Sequence, residues 1–547
     1  MFSFPGMVLT EQRATEYMKN EVWNQDTFLD VFERNVMHVG DLVHRDDLRK
    51  LTYRELWAEC EAFAATLREL GVRKGDRVAI QLPTSLDYLV AVFGSARIGA
   101  IAVLLQTDLA QQGVEYSLDK SKASIMVVAD NYRGQALAQT AFSLKPRMPH
   151  LKTIIVQGAE GALPEGTLEF ERVRQSKRTL SAADAAENRP QALDPFVMVF
   201  TSGTTGSPKG VVQLHANYLW AARAYAKLYG LKPGDGMLDM APICHQTGML
   251  VGVTMPLVTS GRILLVERFS ASRVLQWIEE EQPRSLVGAP PHVIHIANSA
   301  ALKTRDTSSV QYFFYAGAPV ASSVLKQLQS DTNWTIGAMF GWTEGFLATA
   351  THPDDPVEVL TTTVGYAIPG TEVVLVDEDG KTVQPGTPGE MWSRGPNFSA
   401  GYYHNPEAAA RQWDDEGWFH SGDWFRQDEA GRYIFMGRMD DIINRGGTKI
   451  DAKSVEDACA AYPGVENAAV IGIPDPTLGQ RTLACIVLKE GTVPFELGEL
   501  KDFLSANGLS KFQLPDRLVF LDALPATHSG KIRKKELRER FKTADNL

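Results

Sequence analysis

Residues 196–210 read "FVMVFTSGTTGSPKG", an apolar run followed at once by a loop of small residues. The run has the composition of a buried strand, and residues 201–210 hold three glycines, five hydroxyl side chains, one proline and one lysine. Glycines let backbone N–H groups approach an anion closely, hydroxyls donate further hydrogen bonds, and Lys209 adds positive charge. The stretch therefore predicts a phosphate-binding loop after a strand, with a plain turn as the alternative.

The loop departs from the Walker pattern, in which a lysine follows the second glycine directly and a hydroxyl residue comes next. Here Ser207 and Pro208 separate Gly206 from Lys209, and Gly210 stands where the metal-binding hydroxyl would be. The sequence therefore argues against a P-loop kinase. What remains is a loop that binds phosphate through its backbone, its hydroxyls and one lysine.

Composition limits the class of protein further. The chain has 547 residues, 44% hydrophobic and 22% charged, which suits several packed cores of a globular enzyme. The formal net charge of −11 argues against nucleic acid or an anionic membrane as a partner, because both need clustered Lys and Arg. No signal peptide or membrane-spanning run is predicted. We expect a soluble protein.

The four cysteines lack the paired spacing of a zinc site or a disulfide framework. They are Cys60, Cys244, Cys459 and Cys485. The sequence predicts that they are small buried hydrophobic residues in a reducing cytoplasm.

Helical and strand patterns alternate along most of the chain. "LTYRELWAECEAFAATLRELG" (51–71) has apolar residues at helical spacing, and "DRVAIQLP" (76–83) is a short β-rich run. This order predicts parallel sheets with crossover helices. From about residue 370 short strands around Gly and Asp turns predict a small β-rich subdomain, and the last hundred residues or so predict a compact α+β module.

Further short motifs follow the loop in a fixed order. They are "YAGAP" (315–319), "FGWTE" (340–344), "GYYHNPEAA" (from 401), "WFHSGD" (418–423), "GRMDDIINRGG" (437–447) and "LPATHSGKIRKKEL" (524–537). Together with the loop they resemble the adenylate-forming (ANL) superfamily, which includes acyl-CoA synthetases, aryl-acid ligases, peptide-synthetase adenylation domains and firefly luciferases. The resemblance covers nearly the whole chain.

The resemblance implies an α/β fold in two domains. The large N-terminal domain, residues 1–437, would contain stacked parallel-rich β-sheets and helices for ATP and the acid, with the β-rich subdomain at about 365–437. Residues 438–441 would form a hinge, and residues 442–547 a small mobile α+β C-terminal domain.

It also implies a two-step reaction with ATP, Mg²⁺ and coenzyme A. A carboxylate attacks the α-phosphorus of ATP, pyrophosphate leaves, and the resulting acyl-AMP is transferred to a thiol. The residues that match the family's catalytic positions are Lys531, Thr343, Glu344 and Lys209, with Glu344 also matching the acidic residue associated with Mg²⁺. The alternative for Lys531 is a surface lysine in a basic tail.

The nucleotide site implied by the resemblance draws on most of the motifs. Asp423 would accept the ribose hydroxyls with Arg438 as its companion; their alternatives are a turn cap and a solvated charge. The full set is Thr201, Ser202, Gly203, Thr204, Thr205, Gly206, Gly317, Ala318, Pro319, Phe340, Gly341, Trp342, Thr343, Asp423, Arg438 and Lys531.

The second step needs the lysine to leave and a thiol to arrive. In the family the small domain rotates between the two steps, and Asp440 matches the hinge residue. Gly446 and Gly447 would then let a pantetheine arm pass close to the backbone. The alternative for Gly447 is a β-turn glycine.

The acyl pocket implied by the resemblance is lined by His245, Gln246, Met249, Ala316, Gly317, Gly341, Trp342 and Phe346. Amino-acid-activating relatives place an aspartate where His245 and Gln246 stand, so an α-amino acid is disfavoured. Aryl-acid ligases carry a similar His-Asn pair, from which Gln246 departs. Bulky walls favour a compact aromatic, alicyclic or branched acid, and His245 has a structural histidine as its alternative.

The sequence therefore predicts an AMP-forming acid–thiol ligase, with a medium-sized monocarboxylic acid and CoA as substrates. One alternative is an acyl-AMP ligase that loads a carrier-protein pantetheine. Another is a catalytically silent acyl-AMP binder, against which Lys531, Glu344, Asp423 and Arg438 together argue. The oligomeric state is left open between monomer and homodimer.

Overall fold

The computed structural model describes residues 3–201, 208–317, 320–445, 448–526 and 532–542, apart from the side chains of residues 440, 448 and 449. The chain divides into two units. The first comprises Met1–Val373 and Ser393–Phe419, and the second Val374–Trp392 and His420–Leu547. The hinge predicted at 438–441 falls inside the second unit and stays a prediction, as do the predicted domain bounds.

The strands in chain order are β1 (Val43–Arg45), β2 (Lys50–Thr52), β3 (Arg77–Gln81), β4 (Ile101–Leu104), β5 (Ile125–Ala129), β6 (Asn131–Tyr132), β7 (Gln135–Ala136), β8 (Thr153–Gln157), β9 (Thr167–Glu169), β10 (Pro195–Thr201), β11 (Lys209–Leu214), β12 (Gly236–Asp239), β13 (Arg262–Leu265), β14 (Ser285–Gly288), β15 (Tyr312–Ala316), β16 (Thr335–Trp342), β17 (Phe346–Ala350), β18 (Tyr366–Ala367), β19 (Glu372–Val376), β20 (Gly389–Arg394), β21 (Gly401–Tyr402), β22 (Phe419–Gln427), β23 (Tyr433–Arg438), β24 (Ile443–Arg445), β25 (Thr448–Ile450), β26 (Val465–Asp475), β27 (Gly479–Leu488) and β28 (Arg517–Phe520).

The α-helices are α1 (Glu11–Lys19), α2 (Phe28–Val39), α3 (Tyr53–Glu69), α4 (Leu86–Arg97), α5 (Gln111–Ser121), α6 (Leu137–Leu144), α7 (Phe170–Arg174), α8 (Ala182–Glu187), α9 (His215–Leu228), α10 (Met255–Val258), α11 (Ala271–Glu281), α12 (Pro290–Ala297), α13 (Ser322–Asp331), α14 (Val357–Thr362), α15 (Pro406–Gln412), α16 (Ala452–Ala460), α17 (Leu497–Ala506) and α18 (Lys534–Arg540).

Two large sheets build the first unit. One has the strand order β18-β17-β16-β15-β14-β12-β13-β1-β2, and the other β21-β11-β10-β4-β3-β5-β8-β9. Their central strands pair in parallel, β12 with β13 and β14 in the first sheet and β3 with β4 and β5 in the second. The prediction of an α/β fold with parallel-rich sheets is confirmed.

The helices between these strands follow from local sequence. Helix α3 begins at a capping box in which Thr52 and Glu55 bond each other's backbone N–H groups. Helix α4 is buried along its whole length, which agrees with its nearly continuous apolar sequence. Strand β4, which follows α4, is fully apolar, and β3, which lies between the two helices in the chain, has an apolar centre flanked by Arg77 and Gln81, as expected of parallel strands covered on both faces.

The long apolar window at 249–266 forms a π-helix (Thr247–Thr254), then α10, a turn and β13. The π form of its first segment is not predicted by the sequence. No helix of the described residues is long and apolar enough to cross a membrane. The predicted burial of the cysteines holds for Cys60, Cys459 and Cys485, whereas Cys244 is half-buried.

The second unit contains a sheet with the order β25-β24-β27-β26, to which β28 adds through β27. Helices α16 and α17 bury Val455, Cys459 and Leu500 in one core with this sheet. Preceding it, β22 and β23 pair antiparallel within a small sheet of order β19-β20-β22-β23. The α+β character and the β-rich segment before it match the sequence-based expectation.

Candidate active site

The ends of the predicted phosphate loop lie opposite each other in the first unit. Strands β10 and β11 pair antiparallel, with Thr201 in register with Lys209. The Tyr116 hydroxyl donates to the Pro208 carbonyl at 2.9 Å and so fixes the return of the loop. Residues 202–207 lie outside the described residues; they include Ser202, Gly203, Thr204, Thr205 and Gly206.

The "GWTE" motif lies where β16 turns back into β17. Its connection, Thr343, Glu344 and Gly345, is called the 343–345 turn below. A β-bulge at Phe340 and Gly341 brings the strands so close that a Cβ on Gly341 would lie 1.7 Å from the Phe346 carbonyl oxygen. Phe346 itself has φ +56°, a left-handed conformation that is strained for a bulky residue.

Each of the three carbonyls of the 343–345 turn accepts a hydrogen bond from a residue of the first unit that lies outside the β16–β17 hairpin. The donors are Gln213 Nε2 to Thr343 O, Ser399 N to Glu344 O and Asn397 Nδ2 to Gly345 O, each at 2.6 Å. Anchors on three consecutive carbonyls leave the turn little freedom to reorient. The side chains of Thr343 and Glu344 are therefore presented from a fixed backbone.

The amides that anchor the turn are themselves fixed. Asn217 Nδ2 donates to Gln213 Oε1 at 2.5 Å, and the Thr371 hydroxyl donates to Asn397 Oδ1 at 3.1 Å. Gln213, Asn217 and Asn397 are all fully buried. A buried amide network with both ends bonded is rigid, because each broken bond would leave a polar group without water. Sequence reasoning missed this network, although a glutamine in the apolar strand "KGVVQL" is an unusual residue there.

The carboxylate of Glu344 accepts a hydrogen bond from the Tyr402 hydroxyl at 2.7 Å. A carboxylate suits Mg²⁺, which is commonly bound by one or two carboxylates together with substrate phosphates. The described residues contain no group of three or more His, Cys, Asp or Glu able to hold a metal by themselves. The Glu344 carboxylate has the donor chemistry for a cation that arrives with the nucleotide.

The predicted acyl-pocket residues lie in or next to the π-helix and strands β15, β16 and β17 of the first unit. Gln246 precedes the π-helix, Met249 is buried within it, and Phe346 packs edge-on against Tyr218 at 4.5 Å between ring centroids. Trp342 lies edge-on to Phe340 at 5.4 Å and also contacts Phe419. Strand β15 ends at Ala316, after which Gly317 has φ +105°; Ala318 and Pro319 lie outside the described residues.

The polar groups of this region are neutral. Burial lowers the pKa of His245 below its usual value, so its imidazole carries no charge at neutral pH. Asp239, which sequence reasoning did not single out, is fully buried and its pKa is raised well above the usual range by burial. One of its oxygens accepts the Ala241 N–H at 2.7 Å. Neither residue offers a fixed negative charge to a substrate ammonium.

In the second unit, Asp423 and Arg438 are cross-strand partners in β22 and β23. Arg438 Nε lies 3.1 Å from Asp423 Oδ1, and the aspartate is buried. The backbone of Asp440 lies in a 3-10 turn, Met439–Asp441. Its side chain, Gly446, Gly447 and Lys531 lie outside what the structure describes.

An ionic cluster follows the predicted hinge. Asp441 pairs with Arg538, and Lys534 Nζ lies 3.8 Å from Asp441 and 2.7 Å from the buried Glu456. Helix α18 is thereby tied to the 3-10 turn. In the same unit, Ala526 and Ile532 form an antiparallel β-bridge.

The sequence-based assignments thus divide between the units. Thr201, Lys209, Thr343 and Glu344 lie in the first, and Asp423 and Arg438 in the second. Their individual roles stay predictions. Gln213, Asn217, Asn397 and Tyr402 are additions from the structure.

Comparison with known proteins identifies the family. The model of the AMP-binding enzyme family matches residues 32–403, and that of its C-terminal domain matches residues 454–531. The medium-chain fatty-acid–CoA ligase of Escherichia coli (strain K12) is 31% identical over 97% of this chain and 94% of its own length. The 2,3-dihydroxybenzoate-AMP ligase of Bacillus subtilis (strain 168) is 29% identical over 97% and 96%.

A solved structure has a similar fold over nearly the whole chain. The anthranilate CoA ligase AuaEII, determined with anthranoyl-AMP, superposes with a TM-score of 0.84 and 26% identity, over 96% of this chain and 98% of that one. Family models, relatives and fold therefore point the same way. The chain belongs to the AMP-binding enzyme family of the adenylate-forming superfamily, and is an enzyme of the AMP-forming acid–thiol ligase class.

Proposed function

We propose that this enzyme is an ATP-dependent carboxylate–CoA ligase that makes acyl-AMP and then acyl-CoA from a compact cyclic, aromatic or branched monocarboxylic acid. The observation that supports it most directly is the anchored 343–345 turn. It presents Thr343 and Glu344 from a backbone fixed by three hydrogen bonds, as a site that must hold a nucleotide in one geometry requires.

The acid proposed here follows from the neutrality and bulk of the acyl region. His245 and Asp239 are neutral for the reasons given above, which disfavours an α-amino acid. Met249, Phe346 and Tyr218 are buried and bulky. Bulky side chains at these positions favour a compact acid over a long straight chain.

Gln246 adds a polar requirement. Its Oε1 accepts from the Tyr218 hydroxyl at 2.6 Å, and burial keeps that hydroxyl protonated by raising its pKa. Its Nε2 is buried and has no hydrogen-bond partner among the described residues. An unsatisfied buried donor costs about 1–3 kcal/mol. An acid with a hydroxyl, keto or ether oxygen facing Nε2 would therefore be preferred over its hydrocarbon counterpart.

The experiment is a panel of paired acids, each with and without such an oxygen, assayed with ATP and Mg²⁺. Pyrophosphate release reports adenylation, and chromatography of acyl-CoA reports the second step. Acyl-CoA from compact acids supports the proposal. No pyrophosphate with any acid contradicts it and indicates a silent acyl-AMP binder.

A carrier-protein ligase is the second candidate, because the 2,3-dihydroxybenzoate-AMP ligase is among the relatives. Free CoA and a pantetheinylated carrier protein are compared in the same assay. Adenylation followed by transfer to the carrier protein alone favours this candidate over the CoA ligase.

Lys531 is proposed to bridge the acid and the nucleotide as charge develops at the α-phosphorus. Its replacement, Lys531→Ala, should abolish acid-dependent pyrophosphate release. Thioester formation from supplied acyl-AMP should persist, since that step needs the thiol site instead. An equal loss of both half-reactions would contradict this proposed role of Lys531.

A further inference from the structure

The Tyr402 side chain contacts two residues of the site, one through its hydroxyl and the other through its ring. It lies in β21, where it is the cross-strand partner of Val211, and it is fully buried. Its hydroxyl donates to Glu344 Oε1 at 2.7 Å, while Lys209 Nζ lies 4.8 Å from the centroid of its ring. One side chain therefore contacts both the carboxylate of the 343–345 turn and the lysine that ends the phosphate loop.

The direction of the hydrogen bond is fixed by chemistry. With its oxygen 2.7 Å from Glu344 Oε1, the Tyr402 hydroxyl is the donor, because an ionised carboxylate can only accept. A carboxylate has about four lone-pair sites, so one such bond orients it without preventing it from binding a cation.

Lys209 is held on the face of the ring. Its Nζ is 3.2 Å from Gln412 Oε1 as well as near the Tyr402 ring, a geometry in which a cation is attracted to the π-electrons. Because Lys209 pairs with Thr201 across β10 and β11, this contact fixes the lysine at the end of the loop. The ring and the hydroxyl of Tyr402 thus have separable roles.

We propose that Tyr402 is a positioning residue for the nucleotide site, which orients the Glu344 carboxylate for the magnesium of MgATP and holds Lys209 beside the phosphate loop. The proposal rests on the proposed function only in that the enzyme binds MgATP. It does not depend on which acid is the substrate. Groups that hydrogen-bond a metal-binding carboxylate typically change metal affinity 10- to 100-fold when removed.

The test is the Tyr402→Phe variant of the full chain, which removes the hydroxyl and keeps the ring over Lys209. ATP binding is measured by calorimetry without acid, at a series of Mg²⁺ concentrations. We expect the Mg²⁺ concentration for half-maximal binding to rise about 10- to 100-fold, with ATP binding at saturating Mg²⁺ little changed. Glu344→Gln should show a similar rise, and adding Tyr402→Phe to it should have little further effect.

Tyr229→Phe is the matched control. It also removes a buried tyrosine hydroxyl, which donates to the Thr351 carbonyl at 2.8 Å. Its Mg²⁺ dependence should equal that of the wild type. A folded Tyr402→Phe protein with wild-type Mg²⁺ dependence overturns the proposal, and so does an equal shift in Tyr229→Phe.

If the phenylalanine variant does not fold, a fluorinated tyrosine at position 402 provides a second test of the hydroxyl. It keeps the hydroxyl but makes it more acidic, so a change of about two-fold or more in Mg²⁺ dependence supports the role and an unchanged value overturns it. Failure of the one part of the proposed function on which this depends, the binding of MgATP, looks different, because the wild type itself would then show no binding; a change of acid or thiol acceptor would leave the test unaffected.

Discussion

Replacing Gln213 by leucine tests whether the anchored 343–345 turn matters for catalysis. The change keeps the size of a fully buried side chain and removes only its amide. The Thr343 carbonyl loses the donor that lies 2.6 Å away, while Asn217 still donates to the Phe398 carbonyl at 3.0 Å. The damage is therefore centred on the turn.

The magnitude follows from that lost bond. A buried polar group left without its partner costs about 1–3 kcal/mol. The turn can avoid this cost by shifting its first carbonyl toward another donor, which displaces Thr343 and Glu344 from their working positions. If the whole cost appears in the transition state of adenylation, kcat/KM for ATP falls about 5- to 150-fold.

The assay is acid-dependent pyrophosphate exchange with varied MgATP and saturating acid, together with thermal unfolding. Gln81→Leu is the matched control, since Gln81 is also buried and donates to the Gln106 carbonyl at 3.0 Å. Both variants should lose stability, but only Gln213→Leu should lose kcat/KM for ATP.

Two results would refute this reasoning. One is a folded Gln213→Leu enzyme whose kcat/KM for ATP stays within about two-fold of the wild type, because even the lower cost predicts a larger loss. The other is an equal kinetic loss in Gln81→Leu, which would mean that lost stability alone reduces activity.

Three further perturbations have expected outcomes. Gln246→Leu should raise the KM of acids that carry an acceptor oxygen about 5- to 150-fold, and leave the KM of their hydrocarbon counterparts unchanged; parallel changes in both would contradict the proposed contact. Asp441→Ala should lower the unfolding temperature of the second unit, because Arg538 and Lys534 each lose their ion pair with Asp441; an unchanged temperature would show that the cluster is not stabilising. Burial lowers the pKa of His44 to about 3 and that of His215 to about 4, so the unfolded chain binds protons that the folded chain excludes. The neutral histidines stabilise the folded chain above pH 6.5, and this contribution is lost as pH falls below that value. Between pH 7.5 and 5.5 the free energy of unfolding decreases by about 1.4 kcal/mol per histidine. His44→Gln should reduce this pH slope, measured by thermal unfolding.

Much of the fold could be predicted because its signals are local. The alternation that begins with α3 and β3 predicts parallel sheets without knowledge of any distant contact. The strand order could not be predicted, since β12 lies between β13 and β14 only because of long-range packing. The π-helix Thr247–Thr254 could not be predicted either, because a segment that is apolar on all sides has no hydrophobic periodicity.

The residues of the candidate site likewise divide into those that the sequence marks and those that only the structure reveals. Thr201, Glu344 and Asp423 lie inside contiguous motifs, so the sequence alone marked them as candidates. Gln213 and Asn397 are far apart in the chain and act on the backbone of a third segment. No pattern of spacing reports such a contact. Residues that hold a functional turn in place are therefore the part of a site that a single sequence conceals most effectively.

The strain at Phe346 connects these anchors to function. A bulky residue with φ +56° costs about 1–3 kcal/mol relative to an extended one, and such a conformation persists only where the surroundings leave no alternative. Here Gly341 permits the close approach of the two strands, and Gln213 and Asn397 hold the carbonyls of the turn between them. The same contacts that fix the backbone of Glu344, the residue proposed to serve the nucleotide, thus fix Phe346 against Tyr218, whose hydroxyl donates to Gln246. Weakening one anchor should therefore affect nucleotide and acid together, and a Gln213→Leu enzyme that lost affinity for ATP alone would show that the two sides of the hairpin move independently.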